Sequence, residues 1–196
     1  MSIRKIKEEI RILGWDDSPF SEEDERVPIV GSVVRGGKPY LDGVLVEDIA
    51  VDGFDATQKI AKASKNTKHR DQLRIIMLDG ITFAGFNTVD IEKLHRETDL
   101  PVVVVTRKNI DFGKFKKAME KLPGFKRRWK CIERAGDLKE LSMPDGKLYF
   151  QNIGISEKKT KELLKMSTSN SLTPEPIRIS HLIASGIKEG ESIGGA

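Results

Sequence analysis

Leu73-Arg74-Ile75-Ile76-Met77-Leu78-Asp79-Gly80 sets the fold class of this chain. The six residues before Asp79 are nearly all apolar and too few for a core helix, so they read as a central strand covered on both faces. Downstream, a short helix around Val89 to Arg96 leads into Pro101-Val102-Val103-Val104-Val105-Thr106, a β-branched run closed by Arg107-Lys108. A strand, a helix and a second strand in that order make parallel neighbours. Upstream, Arg11 to Trp15 is a short apolar run that stops at Asp16-Asp17-Ser18-Pro19. Val27 to Arg35 and Tyr40 to Val51 flank Gly36-Gly37 and form an antiparallel hairpin, with Asp52-Gly53-Phe54-Asp55 at its far end. Asp55 caps a helix from Ala56 to about Ser64. The expected core is an α/β mixed five-stranded sheet, three antiparallel strands and then two parallel, with flanking helices.

The rest of the chain supplies more helix. Asp111 caps a segment running to Leu122, where Pro123-Gly124 stops it. Phe125 to Lys130 is basic with aromatic ends, and strand-like pieces lie near Cys131 to Arg134 and Leu148 to Ile153. Ser156 and Pro174 open two further helices, the second ending near Gly186 before a glycine-rich tail. At 196 residues the chain suits one domain over 1–196, the helices from about 156 packing on it. A single cysteine, Cys131, allows no internal disulfide and fits a reducing compartment. The charged N-terminus has no apolar signal core, and no apolar run approaches the ~20 residues of a membrane span. A cytoplasmic protein without a membrane partner is expected, of undetermined oligomeric state.

Strand direction brings the acids to one rim. With three antiparallel strands followed by two parallel ones, the ends of the first, third, fourth and fifth strands share an edge, where α/β sheets place their ligands. Asp16, Asp17, Asp52, Asp55, Asp79 and Lys108 lie at those ends. Gathered carboxylates repel, and a hard cation such as Mg²⁺ or Mn²⁺ relieves the conflict and can serve phosphodiester hydrolysis. Asp79 is the strongest candidate, because a carboxylate directly after the most buried strand is costly without a partner. Adjacent strand residues point to opposite faces, so one of Asp16 and Asp17 reaches the metal, and Asp16 is preferred. Asp55 is equally an ordinary helix cap, in which case Asp52 or Glu47 supplies the third acid. Any one Asp-Gly or Asp-Ser-Pro is also plain turn chemistry; three strand ends together carry the inference.

Lys114 to Lys130 holds eight basic residues against one acid, Glu120. Within it, Lys126, Arg127, Arg128 and Trp129 are candidates for a nucleic-acid backbone and an unpaired base, although a basic helix face is commonly just solvated. The net charge of +4 adds no specificity. His69, His95 and His181 lack ligand spacing and are assigned no chemistry. Cys131 reads as a small buried residue.

Gly14-Trp15-Asp16-Asp17-Ser18-Pro19-Phe20, Leu41-Asp42-Gly43-Val44-Leu45, Val51 to Thr57 and Leu78 to Asn87 resemble an archaeal family called endonuclease dU, and the resemblance runs on through Thr106-Arg107-Lys108 and Thr173 to Ile187. That family in turn resembles endonuclease V, an RNase H-like, Mg²⁺-dependent enzyme that cleaves strands near deaminated bases. The resemblance implies an RNase H-like fold, metal held by Asp16, Asp55 and Asp79, catalytic roles for Asp16 or Asp17, Asp55, Asp79 and Lys108, and DNA before RNA as partner. The implied function is repair cleavage of DNA with deaminated bases such as deoxyuridine. Two departures keep a second function open. The histidine-containing element that follows the Asp-Gly in endonuclease V is replaced here by Thr82-Phe83-Ala84-Gly85, and its Phe-Arg-Glu signature is missing. The alternative is a non-catalytic nucleic-acid or nucleotide binding protein of RNase H-like fold.

Overall fold

Aliphatic and β-branched runs form the strands, and amphipathic segments form the helices, in a computed structural model that describes residues 3 and 5–192. The elements in chain order are β1 (Arg11–Asp17), β2 (Arg26–Arg35), β3 (Leu41–Ala50), α1 (Ala56–Asn66), β4 (Leu73–Asp79), β5 (Thr82–Phe83), β6 (Asn87–Thr88), α2 (Ile91–Thr98), β7 (Val102–Thr106), α3 (Phe112–Met119), α4 (Phe125–Ala135), β8 (Lys139–Met143), β9 (Gly146–Ile153), α5 (Glu157–Ser167) and α6 (Glu175–Glu189). The main sheet has the order β3-β2-β1-β4-β7-β9-β8. β1, β2 and β3 are antiparallel in turn, while β4 runs parallel to β1 and β7 parallel to β4, as the sequence implies. The sheet then continues past the expected five strands. β9 adds antiparallel to β7, and β8 to β9, because Leu148 and Phe150 alternate into the same apolar layer as Val103 and Val105. β5 and β6 pair only with each other, as a small hairpin.

Period-two alternation divides the core. Leu13, Trp15, Ile76, Leu78, Val102 and Val104 face α1, α2 and α4, whereas Ile12, Ile75, Met77, Val103 and Val105 face α5 and α6. Three expectations fail in the helices. The piece near Cys131 to Arg134 is helical, since Gly124 (φ 73°) starts a new helix and Arg128, Ile132 and Ala135 recur at helical spacing on its buried side. α3 ends at Met119, short of Leu122, and α6 runs through Gly186 to Glu189, where Gly190 (φ 81°) closes it. The glycine-rich tail expected at the end lies, over 193–196, outside the described residues. No helix among the described residues is long and apolar enough to cross a membrane.

α6 lies directly against β1 and β2 because the residues beneath it are small. A Cβ on Gly14 would sit 2.3 Å from the Pro176 carbonyl oxygen. Ser180 Oγ donates to the Gly14 carbonyl at 2.8 Å, Ser32 Oγ donates to the Pro176 carbonyl at 2.6 Å, and Ser18 Oγ donates to the Ala184 carbonyl at 3.1 Å. These buried bonds fix the rotation of α6, so the residue after Ser180 overhangs the end of β1.

Candidate functional site

That residue is His181. Its Nδ1 is 2.8 Å from Asp16 Oδ2, and no described residue bonds its Nε2. Asp16 falls on the α6 face with Ile12 and Gly14, and Asp79 falls on the same face of β4 with Ile75 and Met77. Trp15 registers with Leu78, so Asp16 and Asp79 stand side by side one residue further along parallel strands. Asp16, Asp17, Asp79 and His181 line one open pocket of about 370 Å³, together with Ser18, Pro19 and Phe20.

Burial makes these carboxylates poor anions. Burial pushes Asp16 up to about 7, with the charges of Asp79 and Asp17 adding to it and the His181 bond opposing it. Burial likewise pushes Asp79 up to about 6, opposed by Arg107 and reinforced by Asp17. Asp17 is also raised by burial, against the pull of the Ala84 amide. His181 is held above its ordinary value by its bond to Asp16. Oxygen donors that repel one another beside open solvent fit a hard divalent cation whose remaining positions are water. The described residues do not, however, include a ready group of three or more His, Cys, Asp or Glu side chains around a metal position. Asp16 and Asp79 are the two carboxylates set side by side there, and among the described residues a third ligating carboxylate is not in place.

The other candidates go elsewhere. Asp17 stays at the pocket's edge but turns to the opposite face of β1, where its carboxylate accepts from the Ala84 amide. Asp55 is not at the pocket: Oδ2 accepts from Arg26 at 3.1 Å, while Oδ1 accepts from Asn87 Nδ2 at 2.7 Å and from the Ala50 amide at 3.2 Å. Strand spacing accounts for the separation, since β2 and β1 lie between β3 and β4 and three steps of ~4.8 Å span roughly 14 Å. Asp55 also makes no side-chain cap; Asn87 Oδ1 takes the Ala56 amide instead, at 3.1 Å. Of the alternatives, Asp52 Oδ1 accepts from the Phe86 amide at 2.7 Å, and Glu47 pairs with Lys59 at 3.1 Å. Lys108 is exposed, and the cation acting on both Asp79 and His181 is Arg107, one residue earlier.

The basic cluster also divides. Lys126 and Arg127 are exposed on α4, but Arg128 is buried, its guanidinium donating to the carbonyls of Asp52, Gly53 and Phe86. Trp129 is half-buried, bonded to Glu133 at 2.8 Å, stacked near Phe125 and covered by Lys116 5.1 Å from its ring centre. Arg128 is thus turned inward, and Trp129 is only partly exposed, unlike the free pair the sequence suggested. Sequence reasoning missed His181 and Arg107. The one signal for His181 was the helical spacing Ile177-Ser180-Ala184, which marks a buried face with His181 at its margin.

The chain matches the family described as Endonuclease dU over residues 8–188. A UPF0215 protein of Methanothermobacter thermautotrophicus is 47% identical over 197 residues, covering 100% of this chain and 96% of the relative. Among solved structures, a protein of unknown function from Archaeoglobus fulgidus superposes with a TM-score of 0.81 at 41% identity, over 90% of this chain and 97% of that one. Endonuclease V of Ciona intestinalis, in complex with a 24mer DNA containing an inosine followed by a ribo-adenosine, superposes with a TM-score of 0.64 at 15% identity, over 97% and 90%. The fold is thus RNase H-like.

Proposed function

The chain belongs to the endonuclease dU family, and from that premise we propose that it is a divalent-metal-dependent endonuclease acting in the cytoplasm on DNA that carries deaminated bases such as deoxyuridine. The observation that carries this reading is the juxtaposition of Asp16, Asp79 and His181 in one open pocket at the carboxyl ends of parallel strands. Asp16 and Asp79 would hold Mg²⁺ or Mn²⁺, which when bound supplies Lewis acidity toward a phosphodiester oxygen. His181, oriented through Nδ1 by Asp16, has Nε2 available to take or return a proton at the reacting phosphate. Arg107 contributes positive charge for the phosphate. Asp17 and Asp52 hold the 82–88 hairpin beside the pocket through the Ala84 and Phe86 amides. DNA bound to the Ciona endonuclease V supports a nucleic acid as the partner.

The test is cleavage of single strands containing deoxyuridine or hypoxanthine with Mg²⁺ or Mn²⁺, comparing wild type with Asp79→Ala. Metal-dependent cleavage in wild type that falls by about 10³-fold or more in the variant is the expected result. Strand binding without cleavage in either protein would instead favour the non-catalytic binding protein allowed by the missing endonuclease V signatures.

A further inference from the structure

On the other side of the 82–88 hairpin from the acid pocket lies a second concavity, of about 480 Å³, walled by α1, α2 and α4. Its charge is one-sided. Six cationic side chains line it against one carboxylate, Asp90. Asp90 is already committed, capping α2 through the Lys93 amide at 2.9 Å and pairing with Arg134 at 2.9 Å. Among the described residues Lys126, Arg127 and Lys130 enter no ion pair, and all three are exposed. Lys126, Lys130 and Arg134 recur every four residues of α4, which sets them about 6 Å apart along one helix face.

Two further observations favour a phosphate-bearing chain over a solvated helix. Arg128, buried at the base of the groove, spends its guanidinium on backbone carbonyls and has no carboxylate bonded to it, Asp52 acting on its charge only from a distance. Above it, Phe54 is 40% exposed, with the Arg128 guanidinium 3.9 Å and that of Arg127 4.6 Å from its ring centre. An exposed aromatic ring flanked by guanidinium groups is the kind of ring on which an unpaired base stacks. A row of unpaired cations beside it suits successive backbone phosphates.

We infer that the groove between α1, α2 and α4 binds the phosphate backbone of a single nucleic-acid strand through Lys126, Arg127 and Lys130, with one base against Phe54. The site deepens the proposed function, on which it rests only for the class of partner. It lies apart from the acid pocket, and the hairpin between them touches both: Thr88 lines the groove while Ala84 is bonded to Asp17.

The experiment uses the full chain and a fluorescein-labelled oligodeoxynucleotide, with anisotropy read across a salt series in the absence of divalent metal. Lys126→Glu with Lys130→Glu is compared with Lys117→Glu and Lys121→Glu, which change the same charge outside the groove. The groove pair is expected to weaken binding by about 10-fold or more and to lower the slope of log K against log salt by about 1.4, the control pair changing far less. Phe54→Ala is expected to weaken binding while leaving the salt slope unaltered. Equal losses in the two charge-reversed proteins, or none in the groove pair, would overturn the site. Displacement of the oligonucleotide by equimolar dTMP would assign the groove to a free nucleotide and overturn the strand. Binding that needs Lys126 and Lys130, in a protein that cleaves nothing with metal present, supports the groove and sinks only the nuclease reading.

Discussion

Asp16 and His181 form the pair on which the proposed chemistry turns, and each can be tested at the level of one side chain. His181 titrates above its ordinary value because Asp16 accepts its bond. In Asp16→Asn its imidazole pKa is expected to drop toward 6.5, read from the ring nitrogens by NMR; an unchanged value would show that the pair is not formed. Glu175 is a second buried acid, with a structural task. Burial works to raise it, yet bonds from Arg178, Ser169 and Asn170 outweigh that and hold it below the ordinary glutamate value. A depressed folded-state value means that the contribution is present above the unfolded value of about 4.3 and is lost as pH falls through the folded one. Glu175→Gln is therefore expected to cost about 2 kcal/mol at pH 7, with the gap from wild type closing below about pH 4 in urea unfolding. A gap that is constant across pH would contradict this.

Elements deliver those side chains. α6 reaches β1 only because Gly14 and Ser32 leave room for it, and Gly14→Ala drives a methyl into the Pro176 carbonyl. The expected cost is about 1–3 kcal/mol in chemical denaturation, with loss of the His181–Asp16 contact even where the protein stays folded. Full stability in that variant would mean the helix has slack. This junction is also where reading the sequence stopped. The strand ends that present Asp16 and Asp79 were legible because apolar runs, turn residues and chain direction are local properties. His181 was not, since it meets Asp16 across 165 residues and the contact is set by the rotation of a helix about its axis. Arg128 was misread for a similar reason: a basic run such as Lys126 to Lys130 does not say which member turns inward, whereas the helix carries one arginine under the hairpin and leaves its neighbours outside.

Across the whole molecule, the shared rim follows from topology, but the rim is wide. Six candidate residues lie along it, and only those on the adjacent strands β1 and β4 meet, while β3 delivers Asp52 and Asp55 two strands beyond β1. Asp52 anchors the hairpin instead, and Asp55 ties Asn87 and Arg26 to the end of β3. Direction was legible from the sequence and lateral distance was not, because strand order gives neighbours and tertiary bonds decide how each acid is used. The central claim is that Asp16 and Asp79 together hold a divalent cation. Calorimetric titration of the full chain with MnCl₂ tests it most directly: wild type and Asp55→Asn should show the same saturable binding, and Asp16→Asn and Asp79→Asn should each abolish it. No saturable binding in wild type, or binding lost with Asp55 but kept without Asp79, would contradict the account.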